Sequence, residues 1–273
     1  MSLASEGAAR PASLAGRVVV ITGGSAGIGA AVGELLAREG AKPVLAARGA
    51  EALAAVAARC GDGTLTVRAD VTRRADVERI RDEALARHGR VDVWINNAGR
   101  GITRLVSELT DEDLDEMMTV NVKSVLYGMQ AVLPHFRARG TGHIINVSSL
   151  LARLPTAPFR SAYAAAKHAV DGLTANLRME LRQSLPGVTV SVVHPGVVAT
   201  EFGLRARHGG LDSRTLPMAQ PVAEVARVIA DLIVRPRAEV YTRPGMRELV
   251  AAYYGAEDLD AVETAPPYTT PGR

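Results

Sequence analysis

A chain of 273 residues that is 47% hydrophobic and 22% charged has ordinary globular composition and length enough for a large core. Its net charge of +3 comes from 32 lysines and arginines dispersed among 29 acids, which excludes a basic stripe for nucleic acid. The single cysteine excludes an internal disulfide and a cysteine metal cluster, so no metal is expected and a reducing, cytoplasmic setting fits. Residues 1–15 are small and polar, lack the apolar stretch of a signal peptide and are expected to be flexible. The run "VVVIT" at 18–22 is β-branched and apolar, the mark of a strand buried on both faces. A helical period follows over 28–38, then a strand at 43–47 and a helix over 50–59, beside which Cys60 reads as a small residue at a helix end. The alternation continues with a strand at 65–67, a helix over 73–87 and a strand at 91–95. One long helix is expected over 111–137, capped by Thr110 or Asp111 with acids in its first turn. A strand at 144–147, a helix over 161–184 and strands at 188–193 and 240–241 complete the series.

Seven strands alternating with helices predict an α/β fold: one doubly wound, mostly parallel sheet with helices on both faces, in a single domain over 16–255. No apolar run approaches the 18 residues that suggest a membrane span. Two stretches break the rhythm. Residues 201–220 are polar, glycine-containing and poorly periodic, which suits a substrate lid or an ordinary surface loop. Residues 256–273 are acidic, then rich in proline and threonine, and are expected to form a flexible tail.

The turn after the first strand admits two chemistries. Gly23 to Gly27 matches G-x-S-x-G, which presents a nucleophilic serine, here Ser25, at a strand–helix elbow. Gly23, Gly27 and Gly29 equally form a glycine-rich turn that lets a dinucleotide pyrophosphate approach a helix N-terminus. A hydrolase needs an oxyanion-hole loop upstream, and there is no room for one before residue 25; the only "HGG" is at 208–210. Tyr163 and Lys167, four apart, share one helix face; with three lysines in the chain such a pair arises about 0.07 times by chance.

From about Gly16 to Tyr241 the sequence resembles the short-chain dehydrogenase/reductase family. The resemblance lies in five ordered motifs: "TGGSAGIG" at 22–29, "NNAG" at 96–99, Asn121 in "VNVKS", Ser149 in "INVSS" with "YAAAK" at 163–167, and "HPGVVAT" at 194–200. It implies a Rossmann-like domain in which Tyr163 is acid/base, Lys167 aids it, Ser149 donates to the substrate oxygen and Asn121 completes the catalytic set. An ammonium beside a phenol favours phenolate, so Lys167 is expected to lower the Tyr163 pKa. Ser149 precedes Tyr163 by fourteen residues, where the family commonly has thirteen; adjacent Ser148 is the alternative. His194 reads as a structural residue at a strand end.

The same resemblance implies a nicotinamide dinucleotide held by Gly23, Ser25, Ala26, Gly27, Ile28 and Gly29. Asp70 and Val71 match its adenine contacts, while Tyr163 and Lys167 lie at the nicotinamide ribose. Asn97 with Ala98 and Gly99, and Val198 with Pro195 and Gly196, match positions around the ribose and nicotinamide; Thr200 matches the carboxamide contact. After the second strand an acid would accept ribose hydroxyls, but Ala47 and Arg48 stand there. A guanidinium binds a 2′-phosphate bidentately, which favours NADP(H) over NAD(H), although an arginine can also stack on adenine.

The resulting expectation is an NADP(H)-dependent oxidoreductase interconverting a ketone or aldehyde and an alcohol, with Leu150, Leu151 and Phe159 lining an apolar substrate pocket. A non-catalytic dinucleotide-binding sensor or scaffold of the same fold is the alternative, and a serine hydrolase using Ser25 a remote one. The partner is a small-molecule carbonyl or alcohol substrate, without nucleic acid or membrane. Relatives pack their long helices into homodimers or homotetramers, which is the assembly the resemblance implies here.

Overall fold

Successive side chains of a strand point to opposite faces, and β1 (Val18–Thr22) is apolar on both. In the computed structural model, which describes residues 13–268, Val18 and Val20 enter one core while Val19 and Ile21 enter another. Residues 1–12 of the expected flexible segment and 269–273 of the expected tail lie outside the described residues. The other strands are β2 (Lys42–Ala47), β3 (Leu65–Arg68), β4 (Val93–Asn96), β5 (Gly142–Val147), β6 (Val188–His194) and β7 (Glu239–Tyr241). They form one seven-stranded sheet in the order β3-β2-β1-β4-β5-β6-β7, with every pairing parallel.

Parallel neighbours need crossovers, and the helices that make them cover both faces. α1 (Gly27–Arg38), α2 (Ala50–Cys60) and α7 (Val222–Val234) pack on the core that holds Val19 and Ile21. α3 (Arg74–His88), α5 (Ser124–Arg139) and α6 (Ser161–Ser184) cover the other. The chain leaves β1 toward β2 and β3, then returns to place β4 on the opposite side of β1. Such a reversal opens a crevice at the C-terminal ends of β1 and β4, where ligands bind in open α/β sheets.

Three features differ from the sequence expectation. The helix expected over 111–137 is interrupted: α4 (Asp111–Met118), capped by the Thr110 side chain, passes through a π-helical turn at Thr119–Lys123 into α5. The cause is Asn121, whose buried side chain donates to the Met117 carbonyl four residues back and displaces the regular ladder. α7 and α8 (Met246–Tyr254), unforeseen in the sequence, follow the sixth and seventh strands. The segment after residue 256 carries a short helix, α9 (Leu259–Glu263), capped by Asp258. It is anchored by a 2.6 Å hydrogen bond from the Tyr253 hydroxyl to Glu263 and by stacking of Tyr268 on Tyr253.

Candidate active site

Because all the strands run the same way, the segments that follow β1 to β6 emerge on one edge of the sheet. The first is the glycine turn. Gly23 has φ +69°, and a Cβ there would lie 2.9 Å from Ala98 Cα. A Cβ on Gly29 would collide with the Gly23 carbonyl oxygen and sit 2.6 Å from Asn97 Nδ2, so the helix start can approach the strand only without a side chain. α1 then begins with Ala26 in the N-cap position and no side-chain cap. Its first-turn N–H groups, together with those of Ser25 and Ala26, form a cradle suited to a phosphate. Thr22, absent from the expected site, binds the facing loop: its hydroxyl oxygen accepts from the N–H groups of Asn97 (3.0 Å) and Ala98 (3.1 Å). The leading threonine of the glycine motif was the signal for it. Asn97 in turn donates from Nδ2 to the Thr22 carbonyl at 2.9 Å. Among the described residues no histidine hydrogen-bonds Ser25.

The remaining expected cofactor positions come to the same edge. Exposed Arg48 follows β2 and has no carboxylate partner among the described residues. Asp70 and Val71 follow β3, where the Asp70 carboxylate accepts from the Thr72 N–H and hydroxyl. Pro195 and Gly196 follow β6, with the Pro195 carbonyl accepting from the Leu150 N–H at 2.8 Å. Val198 bridges Gln220, and the Thr200 methyl lies over Gly27, 3.4 Å from where its Cβ would be.

Tyr163 and Lys167 lie one turn apart near the start of α6, both buried, with the Lys167 ammonium 5.6 Å from the phenol ring centroid. Lys167 donates to the Val147 carbonyl at 2.8 Å, which ties it to the end of β5. Asn121 stands opposite: its Oδ1 accepts from the Arg100 N–H, and a Cβ on Gly99 would lie 2.8 Å from that oxygen and 3.7 Å from Lys167 Nζ. Ser149 caps the 3-10 turn Leu150–Ala152 by accepting from the Leu151 N–H at 3.2 Å, which leaves its own proton free to donate. The Ser148 hydroxyl instead donates to the Lys167 carbonyl.

The electrostatics correct one expectation. Burial pushes the Tyr163 phenol up to about 12, with the Ser149 side chain and the Arg160 charge acting against it. The expected depression by Lys167 does not appear: the groups that oppose burial are Ser149 and Arg160. Burial also pushes the Lys167 ammonium down to about 8, opposed by the Asp171 carboxylate. Asp171, a turn beyond Lys167 on α6, is held by His194 Nε2 at 2.8 Å and Arg153 Nε at 3.1 Å. His194 is therefore a buried hydrogen-bond partner of Asp171 at the end of β6; the carboxylate four residues after Lys167 was the sequence signal for this contact.

Of the residues expected to line a substrate pocket, half-buried Leu150 and Leu151 form the 3-10 turn and partly exposed Phe159 precedes α6. Residues 201–220 fold across this side. Phe202 packs on Tyr163 with ring centroids 5.5 Å apart, and Arg207 pairs with Ile102 in a short parallel bridge. A buried carboxylate, Asp113 at the start of α4, pairs with Arg207, with His208 at 2.8 Å and with Arg104 at 3.6 Å; Glu116 pairs with Arg207 and Arg100. Burial pushes the Asp113 pKa up, but His208, Arg207 and the Thr110 backbone outweigh it and hold the carboxyl at about 2. Nothing in the local sequence announces this cluster.

No helix among the described residues is long and apolar enough to cross a membrane, and no group of three metal-ligating side chains occurs among them. Comparison with known proteins bears on the same edge of the sheet. A family model described as short chain dehydrogenase matches residues 17–209. The uncharacterized oxidoreductase YxnA of Bacillus subtilis is 36% identical over 232 residues, covering 82% of this chain, which spans only 65% of that protein's length. The uncharacterized oxidoreductase Lin0452 of Listeria innocua is 39% identical over 190 residues, 68% of this chain and 76% of its own length. Among solved structures, a short-chain dehydrogenase/reductase from Burkholderia phymatum in complex with NAD superposes with a TM-score of 0.82 at 28% identity, covering 96% of this chain and 99% of that one. A short chain dehydrogenase from Burkholderia cenocepacia in complex with NADP gives 0.78 at 27% identity, covering 95% and 100%. The motifs gathered at one edge of the sheet and a family match through both halves of the crevice lead to one conclusion: this chain belongs to the short-chain dehydrogenase family.

Proposed function

We propose that the protein is an NADP(H)-dependent oxidoreductase that interconverts a ketone or aldehyde and an alcohol, with Tyr163 as the acid/base. The observation that carries this reading is the joint burial of Tyr163, Lys167 and Ser149 beside a glycine turn whose helix N-terminus has no side-chain cap. The turn from Gly23 to Gly29 would hold the pyrophosphate, Asp70 and Val71 the adenine, and Arg48 the 2′-phosphate. Asn97, Ala98, Gly99, Pro195, Gly196, Val198 and Thr200 would hold the ribose and nicotinamide end. When bound, the nicotinamide supplies or accepts the hydride. A phenol with a pKa pushed up to about 12 keeps its proton at neutral pH and can give it to the oxygen of a carbonyl under reduction. Ser149, with a free hydroxyl proton, would donate to that oxygen as charge develops. The reverse reaction needs phenolate, which the charges of Lys167 and Arg160 favour. Asn121 would complete the set from the π-helical turn that its side chain holds against Met117 and Arg100.

Residues 201–220 act in this reading as the substrate lid over Leu150, Leu151 and Phe159. Assembly as a cytoplasmic homodimer or homotetramer through α5 and α6 belongs to the same proposal; Met179 on α6 is an exposed apolar side chain there. The test is Tyr163→Phe. Its NADPH-dependent turnover of a ketone, followed by reduced-nicotinamide absorbance, should fall about 10³-fold. Its dissociation constant for NADPH should barely change. Equal loss of both would show that Tyr163 holds the cofactor rather than moving the proton.

A further inference from the structure

Three segments surround Tyr163 on the substrate side: 98–104, 150–162 and 201–220. Their arginines are almost all paired. Arg100, Arg104, Arg153, Arg205, Arg207 and Arg214 each reach a carboxylate. Arg160 has no such partner among the described residues, yet it is half-buried immediately before α6, three residues from Tyr163. Burial lowers its pKa, and no carboxylate acts to raise it.

The surroundings of Arg160 make room for a charge. Nη1 donates to the Ile102 carbonyl at 3.1 Å, and the guanidinium carbon stands 5.5 Å from the Phe159 ring centroid. A Cβ on Gly101 would lie 3.1 Å from Nη1, and one on Gly210 would lie 3.2 Å from Nη2. Neither glycine has a positive φ, so at both positions the missing side chain supplies space rather than backbone freedom. The Gly101 position is also 3.0 Å from the Phe202 ring that packs on Tyr163, which places the slot alongside the phenol. Nε and Nη2 make no hydrogen bond among the described residues, and neither is sealed from solvent.

A glutamine would make the Ile102 hydrogen bond without bringing a cation into a half-buried slot. Partial desolvation of that cation is unfavourable, and an anion bound at its open Nε and Nη2 would offset it. We propose that the substrate carries a carboxylate beside an apolar frame, and that Arg160 is the specificity-determining residue that receives it through Nε and Nη2. This rests on the oxidoreductase reading of Tyr163. The carboxylate takes no part in the bond changes; it fixes which end of the molecule presents its carbonyl to the phenol.

The test is a panel of oxo acids of graded chain length, each paired with its methyl ester, assayed with NADPH. The wild-type protein should reduce at least one acid with a kcat/KM about tenfold or more above that of its ester. Arg160→Gln should lower the value for that acid by about 10²-fold and bring the acid-to-ester ratio near one. Arg160→Lys, which keeps the charge but not the fork, should recover part of the ratio. Equal wild-type rates on acid and ester, or equal loss of both in Arg160→Gln, would overturn the anchor. Reduction of esters and neutral ketones with no advantage for any acid sinks the anchor alone; reduction of no carbonyl compound sinks the oxidoreductase reading itself.

Discussion

The glycine turn at 23–29 and the segment at 201–220 lie at the same edge of the sheet and are built in opposite ways. The turn is held by backbone: Thr22 and Asn97 tie strand to loop, and close approach depends on what Gly23 and Gly29 lack. The segment is held by side chains: Arg207 forms ion pairs with Asp113 and Glu116, and His208 hydrogen-bonds Asp113. A site set by backbone shape cannot yield without breaking the strand–helix junction. A site set by ion pairs can release a segment while the sheet stays intact. The first suits a cofactor that is common to many reactions, the second a substrate that must enter and leave.

The comparison can be broken at the turn first. Gly29→Ala forces a side chain onto the Gly23 carbonyl and Asn97, and overpacking against backbone costs about 3 kcal/mol. Denaturant unfolding should show that loss together with loss of NADPH binding. Unchanged stability would mean that the junction has slack. At the other region, Asp113→Ala removes the acceptor shared by Arg207, His208 and Arg104 and leaves Arg207 with Glu116 alone. Trypsin should then cut within 201–216 faster, on the order of a hundredfold, because proteolysis follows the open population. The unfolding transition should keep a single step. A cut rate equal to that of the wild type would show that the segment is held by Phe202 and its backbone bridges instead. The smallest effect is expected from Arg48→Ala, which should weaken NADPH binding about tenfold and NADH binding far less, as read by fluorescence titration. Equal weakening would assign Arg48 to adenine stacking.

Burial produced the main electrostatic difference from the sequence reading. Spacing alone placed Lys167 beside Tyr163, and a nearby ammonium lowers a phenol's pKa in water-exposed surroundings. In the folded site the desolvation of both groups dominates, moving the phenol up to about 12 and the ammonium down to about 8. Each carries a further influence from residues absent from the motif, Arg160 on Tyr163 and Asp171 on Lys167. The helix spacing was legible, but the dielectric around it was not.

By itself the sequence determined the inner strands, because parallel strands buried on both faces must be short, apolar and β-branched; β3 and β7, at the ends of the sheet and only partly buried, leave a weaker mark. It also determined the glycine turn and the Tyr163–Lys167 pair, whose members lie within one helical turn or one loop and so leave their spacing in the chain. Only the tertiary structure decided the rest. The π-helical turn at Asn121 depends on a side chain bonding to Met117 and to Arg100, which lies on another segment. The Asp113 clamp joins residues 94 and 95 positions apart, and the slot around Arg160 is bounded by Gly101 and Gly210 from different loops. Local periodicity records which way a side chain faces. It does not record which distant charge the fold will bring to meet it, and here those meetings form the clamp and leave Arg160 without a carboxylate among the described residues.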